Sequence, residues 1–128
     1  MNIEHIALWV SDLEASRSFY ETYFEARSGK KYYNPNKYFT SYFLSFDGGS
    51  RLELMHRPDI EKLLKEGQEV IGLTHFSISV GSKAKVDTLT DRIQQDGLQV
   101  VGEPRTTGDG YYESVVLDPE GNRIEITV

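Results

Sequence analysis

The sequence predicts an α+β fold in which one plan, strand–helix–strand–strand–strand, is stated twice along 128 residues. Three observations predict it. Arg-x-Glu inside an alternating strand occurs at Arg51-Leu52-Glu53-Leu54 and recurs at Arg123-Ile124-Glu125-Ile126. Each glutamate trails a strand-borne histidine by nearly the same interval, Glu53 lying 48 residues after His5 and Glu125 lying 50 after His75. Each histidine strand is followed by a stretch whose apolar residues recur at helical spacing. The expected organisation is a single domain, with module one at residues 1–57, a connecting helix at 58–67 and module two at 68–128.

In the first half, Ile3–Val10 alternates strictly. Ile6, Leu8 and Val10 form an aliphatic side suited to packing on a helix, which leaves His5, Ala7 and Trp9 on the other side. Ser11-Asp12-Leu13-Glu14 fits a capping box with Ser11 as N-cap. The helix then runs to about Phe24, its stripe built from Leu13, Ser16, Tyr20, Tyr23 and Phe24, with Phe19 beside it. Ala26–Lys37 reads as a loop holding Arg27, Lys30, Lys31 and Lys37 and no acid, ended by Asn34-Pro35-Asn36. Tyr38–Phe46 and Arg51–Met55 are strands joined by the turn Asp47-Gly48-Gly49. The half's second strand has no obvious place in the basic loop. Pro58–Glu66 reads as a short helix stopped by Gly67.

The second half repeats the order. In Leu73–Val80, Phe76, Ile78 and Val80 are the packing side, while Leu73, His75, Ser77 and Ser79 leave room beside the histidine. Ser82–Asp96 is a helix with Val86, Leu89 and Ile93 inward and Gly97 as its stop. Gln99–Gly102 is a short strand, Glu103–Gly110 a loop and Tyr111–Leu117 a strand. Asp118-Pro119-Glu120-Gly121 is a tight turn into the last strand, Arg123–Val128.

Composition bounds the function. With 38% hydrophobic and 27% charged residues the chain is of ordinary globular type. A net charge of −6 argues against nucleic acid as a partner. No apolar run approaches the ~20 residues of a membrane span. The start lacks the basic and apolar regions of a secretory signal. The absence of cysteine excludes thiolate ligands, disulfides and a cysteine nucleophile, and fits a reducing cytoplasm. Residues 1–66 carry nine Lys/Arg against ten Asp/Glu, and residues 67–128 five against ten. An anionic ligand is therefore expected to be handled by the first half.

A carboxylate fixed mid-strand among β-branched residues needs a reason, because an unpaired buried charge is costly. Singly, His5 and His75 read as ordinary strand histidines, and Glu53 and Glu125 as surface carboxylates paired with Arg51 and Arg123. Together, two His and two Glu at matching places in a duplicated unit point to a metal site. Imidazole nitrogen with carboxylate oxygen suits Zn, Ni, Co or Mn, and two open positions would complete an octahedron.

Two motifs carry a resemblance: Val10-x-Asp12-x-x-x-Ser16-x-x-Phe19-Tyr20 after the first histidine strand, and Asp118-Pro119-x-Gly121-Asn122-x-x-Glu125 at the end. By these the chain resembles the vicinal oxygen chelate superfamily and, within it, glyoxalase I (lactoylglutathione lyase). The resemblance implies two βαβββ modules forming a cup around one divalent metal held by His5, Glu53, His75 and Glu125. It also implies a homodimer, with sites at the interface that combine His5 and Glu53 of one chain with His75 and Glu125 of the other. The implied chemistry is isomerisation of a 2-oxoaldehyde–thiol hemithioacetal through an enediolate, with Glu53 or Glu125 as the base and a low-molecular-weight thiol as co-substrate. Related families narrow the choice. Extradiol dioxygenases and fosfomycin-modifying transferases typically use two His and one Glu, and methylmalonyl-CoA epimerases usually carry Gln where Glu53 stands.

The chain departs from glutathione-using relatives at the thiol end. Trp9 stands where they commonly have Arg, and Arg57 where they tend to have Asn. Arg105 corresponds loosely to their basic residue before the penultimate strand. The expected substrate contacts are Trp9 and Arg57, together with Lys30, Lys31 and Arg105. Lys30 and Lys31 belong to the Lys/Tyr-rich loop, read either as a solvated loop or as a lid over an anionic substrate. The rival readings are a small-molecule binding protein of the bleomycin-resistance type and a different isomerase or dioxygenase of the same superfamily.

Overall fold

The computed structural model describes residues 2–61 and 71–128. The chain divides into two compact units, Met1–Leu63 and Leu64–Val128. The expected connecting helix at 58–67 lies mostly outside the described residues. Its first residues, Pro58 and Asp59, form a turn in which the Ile60 N–H donates to Arg57 O at 3.2 Å.

The first unit runs β1 (His5–Trp9), α1 (Leu13–Phe24), β2 (Arg27–Ser28), β3 (Tyr32–Asn34), β4 (Phe39–Ser45) and β5 (Arg51–His56). Its sheet has the order β1-β5-β4-β2, with β3 also on β4. β1 and β5 are parallel, and the other pairs are antiparallel. α1 covers one face. Leu8, Val10, Tyr42, Leu44, Leu52 and Leu54 are buried on the sheet side, and Leu13, Ser16, Phe19, Tyr20 and Phe24 on the helix side. Removing such side chains from water contributes about 1.5–3 kcal/mol each. The motif beginning at Val10 is thus largely a folding motif, since Val10, Ser16, Phe19 and Tyr20 are all core.

Two sequence expectations are corrected here. The N-cap of α1 is Asp12, not Ser11: Asp12 is extended (φ −120°, ψ 100°), and its Oδ1 accepts from the Ala15 N–H at 2.9 Å. A carboxylate in that place also meets the positive end of the helix dipole, an advantage a hydroxyl lacks. Glu14, freed from the capping box, ion-pairs with Arg17 at 3.0 Å and Lys31 at 2.8 Å. Second, the basic loop contains the missing strand in two pieces. Arg27 pairs with Ser45 and Tyr32 with Ser41, so the register slips by one residue between β2 and β3, a bulge in an outer strand.

The second unit runs β6 (His75–Ser79), α2 (Lys83–Gln95), β7 (Val100–Thr106), β8 (Tyr112–Leu117) and β9 (Arg123–Thr127), with sheet order β6-β9-β8-β7. β6 and β9 are parallel. Ser82 caps α2 by accepting from Lys85 N–H at 3.3 Å, and Gly97 (φ 80°) follows its end. Val86 and Ile93 are fully buried with Ile124 and Ile126, whereas Leu89 is half-buried. Thr90 takes the expected Leu89 place, its Oγ1 within 2.6 Å of the buried Ser114 Oγ. β7 extends through the expected loop to Thr106, and its two register shifts and edge position accommodate Pro104, which has no N–H for a ladder. The plan is thus βαβββ in both units, with one strand of the first unit split.

Candidate metal centre

The two histidine–glutamate pairs have the same register. His5 stands opposite Arg51 and Ala7 opposite Glu53; His75 stands opposite Arg123 and Ser77 opposite Glu125. In each unit a small side chain faces the glutamate, so the histidine can lean diagonally across it. All four residues lie on the sheet face away from the unit's helix, because their neighbours Leu52, Leu54, Ile124 and Ile126 are the buried ones.

His75 Nε2 lies 3.1 Å from Glu125 Oε1, and His5 Nε2 lies 3.9 Å from Glu53 Oε2. The glutamate side chains are the more sheltered members, 20% and 14% exposed. Two donors bonded to one ion at ~2.1 Å and at a right angle sit about 3 Å apart. The second pair already has that separation, and the first must close by roughly 0.9 Å. Arg51 does not serve Glu53, as the surface-pair reading had it. Its guanidinium instead binds Glu4, through Nε at 2.7 Å and Nη2 at 2.5 Å, and lies 4.1 Å from the Phe43 ring centre.

Glu4 escaped the sequence reading. Its Oε2 lies 2.5 Å from His5 Nδ1, so the ring is held with Nε2 toward Glu53. The hydrogen bond from His5, then that from Arg51, hold the Glu4 carboxyl below its ordinary range. A carboxylate on the far nitrogen of a metal-binding histidine is the usual device for fixing tautomer and raising ligand basicity. The sequence signal was present: an acid directly before a candidate ligand, with a basic residue in the strand that would lie beside it.

Among the described residues no group of three or more His, Cys, Asp or Glu gathers at one point. Each pair by itself offers one imidazole nitrogen and one carboxylate. The donor chemistry fits a borderline divalent ion, which His5 and Glu53 would hold in one half-site and His75 and Glu125 in the other.

The terminal turn aims Glu125. Asp118 is buried; its Oδ1 accepts from the N–H groups of Glu120 (3.0 Å) and Asn122 (2.8 Å), and its Oδ2 accepts from Asn122 Nδ2 (2.9 Å). Gly121 supplies the positive φ of 85°. The motif is a register clamp for β9.

Four of the expected substrate contacts, Trp9, Lys30, Lys31 and Arg57, lie in the first unit and Arg105 in the second. Trp9 shares the open face with His5 and is 41% exposed. Arg57 lies 5.5 Å above its ring and is held by both carboxylate oxygens of Asp59, at 2.5 and 2.9 Å. Lys31 points to the helix side, bound to Glu14 at 2.8 Å and lying 5.6 Å over the Tyr42 ring. Lys30 is exposed between β2 and β3. Arg105 is exposed on β7 opposite Glu113.

The βαβββ plan and its matched pairs define a duplicated His–Glu class, and comparison with known proteins gives the family. A model of the glyoxalase/bleomycin resistance protein/dioxygenase superfamily matches residues 2–126, and the chain belongs to that superfamily. The uncharacterized protein YqjT of Bacillus subtilis (strain 168) is 30% identical over 129 residues, covering 97% of this chain and 96% of that protein. A glyoxalase family protein from Enterococcus faecalis has the same fold (TM-score 0.80, 20% identity, 99% and 97% coverage). So does glyoxalase I from Zea mays (TM-score 0.78, 23% identity), of which this chain covers 44% while 98% of its own length is matched. No described helix is long and apolar enough to cross a membrane.

Proposed function

We propose that this protein is a metal-dependent lyase or isomerase of glyoxalase I type, acting on a 2-oxoaldehyde–thiol hemithioacetal. The observation that carries the reading is the register-equivalent placement of His5–Glu53 and His75–Glu125 on open sheet faces. The native assembly is a homodimer in which His5 and Glu53 of one chain complete a centre with His75 and Glu125 of another. A bound Zn, Ni, Co or Mn ion would supply Lewis-acid stabilisation of charge developing on the substrate's two vicinal oxygens. One glutamate removes the proton from the hydroxyl-bearing carbon and returns it to the neighbouring carbon, while the hydroxyl proton passes to the neighbouring oxygen to leave the hydroxy thioester. Glu4 holds His5, and Trp9 walls the site. The location consistent with this chemistry and with the absence of cysteine is the cytoplasm.

The test is metal analysis of purified protein, light scattering, and turnover of methylglyoxal with glutathione and other low-molecular-weight thiols, before and after chelation. A dimeric mass, near-stoichiometric metal and turnover lost on chelation are expected. A monomer without metal affinity would end this reading. In that case a small-molecule binding role, which the exposed rings beside His5 favour, takes its place.

A further inference from the structure

The first unit was expected to attract an anion, yet four of its cations already hold carboxylate partners. Arg27 has Asp47 at 3.1 Å, Lys31 has Glu14 at 2.8 Å, Arg51 has Glu4 at 2.5 Å and Arg57 has Asp59 at 2.5 Å. An incoming carboxylate would have to displace Asp59 from a two-oxygen contact and would gain only the difference between two similar ion pairs. What the open face offers instead is aromatic. The Trp9 ring meets Phe39 edge-on with centroids 6.1 Å apart, and Phe39 meets Tyr32 at 6.0 Å. Trp9 and Tyr32 remain 41% and 53% exposed. The register puts Trp9, Phe39 and Tyr32 on the same sheet face as His5 and Glu53: Ala7 pairs with Glu53, Trp9 and Ser41 both pair with Met55, and Ser41 pairs with Tyr32. The His5 ring is itself edge-on to Phe43 at 5.3 Å, so ring contacts reach the donors.

We propose that the Trp9–Phe39–Tyr32 strip binds an uncharged aryl group on the substrate, so that the enzyme selects an aromatic 2-oxoaldehyde derivative over one recognised by a terminal carboxylate. This rests on the functional reading above, which it sharpens. The Arg57–Asp59 pair over Trp9 acts as a neutral lid edge, and a ring slid beside Trp9 gains edge or offset-stacked contacts with all three side chains.

Trp9 is the chain's one tryptophan, so its emission reports occupancy of the strip directly. The experiment titrates the zinc-loaded full chain with benzohydroxamate, acetohydroxamate and succinic monohydroxamate, which share a head of two vicinal oxygens and differ in the tail. Aryl binding about 10- to 30-fold tighter than methyl is expected, from the added apolar area and ring contacts. The carboxylate tail should bind no tighter than methyl, and Phe39→Ala should cut the aryl advantage to about 3-fold. Equal aryl and methyl affinities, or tightest binding by the carboxylate tail, would overturn the proposal. So would Trp9 emission that shifts on dilution but not on aryl addition, which would assign the strip to a second copy of the chain. Aryl preference that survives zinc removal in a protein without turnover keeps this inference while ending the isomerase reading. Turnover without aryl preference does the reverse.

Discussion

The two units place the same pair of donors in the same register and surround them differently. In the first, His5 is buttressed by Glu4, Arg51 and the Phe43 ring, and the rest of the face is aromatic. In the second, Thr74 stands where Glu4 does, and the strands beside Glu125 present Ser77 and Ser79 on one side and Val115 and Glu113 on the other. A duplicated frame can thus keep the same donor pair in both copies while their surroundings diverge. On the proposed reading the first unit selects the substrate.

The largest expected effect tests whether the two glutamates are equivalent. Donors 3.1 Å apart in the second unit already have a metal's spacing, whereas the first pair stands at 3.9 Å. The looser Glu53 is the better candidate to leave the ion and carry the proton. Glu53→Gln should lower kcat about 10²- to 10⁴-fold while the protein keeps its metal. Glu125→Gln should lose most of the metal itself. Metal content measured beside kcat decides, and the reverse pattern would exchange the roles.

A smaller effect isolates the buttress. Glu4→Gln is expected to weaken metal binding about 10- to 100-fold, because the ring of His5 loses its charged anchor. Thr74→Ala, at the equivalent place, should leave affinity within about twofold. Chelator competition on both variants measures this. Equal losses would show the two half-sites to be supported alike.

How much of this was legible in the sequence follows from what each feature depends on. Alternation in Ile3–Val10 and Leu73–Val80 set which face turns inward, buried at Leu8 and Val10 and half-buried at Phe76, Ile78 and Val80. The echo of Arg-x-Glu located the duplicated donors. The strand pieces at Arg27–Ser28 and Tyr32–Asn34 were not legible, since a bulge of one residue hides the period. Nor was the compensation of the cations: Glu14 and Lys31 lie 17 residues apart, Glu4 and Arg51 47 apart, and only the sheet brings them together. Two of the four cations of the basic loop, Arg27 and Lys31, are thus met by acids distant in sequence.

The helix caps give the next contrast. Asp12→Ala should cost about 1 kcal/mol and Ser82→Ala a similar amount, while Ser11→Ala should stay within about 0.5 kcal/mol. Urea midpoints at constant slope would show it. A Ser11→Ala loss equal to that of Asp12→Ala would restore the capping box that the structure replaces.

The smallest effect concerns the pin between the basic segment and α1, whose counterpart near the start of α2 is of another kind. There Lys83 lies 4.9 Å over the Tyr112 ring, and Tyr112 donates to Asp87. The Lys31 hydrogen bond first, then that from Tyr42, lowers the Glu14 carboxyl from its ordinary 4.5, and the same contact raises Lys31 from 10.5. A carboxyl lowered on folding stabilises above its unfolded value, and that contribution is lost as pH falls through the folded value. An ammonium raised on folding stabilises below its unfolded value, and loses the contribution as pH rises through the folded one. The pin should therefore hold fully between about pH 4.5 and 10.5 and fade at both ends. Glu14 is half exposed, so solvent screening limits it to about 0.5 kcal/mol. Glu14→Gln should shift the urea midpoint slightly at pH 7 and not at all near pH 2, and high salt should shrink the pH 7 difference. A Glu14→Gln loss that is unchanged at low pH would mean that packing against Tyr42, and not charge, holds the segment to the helix.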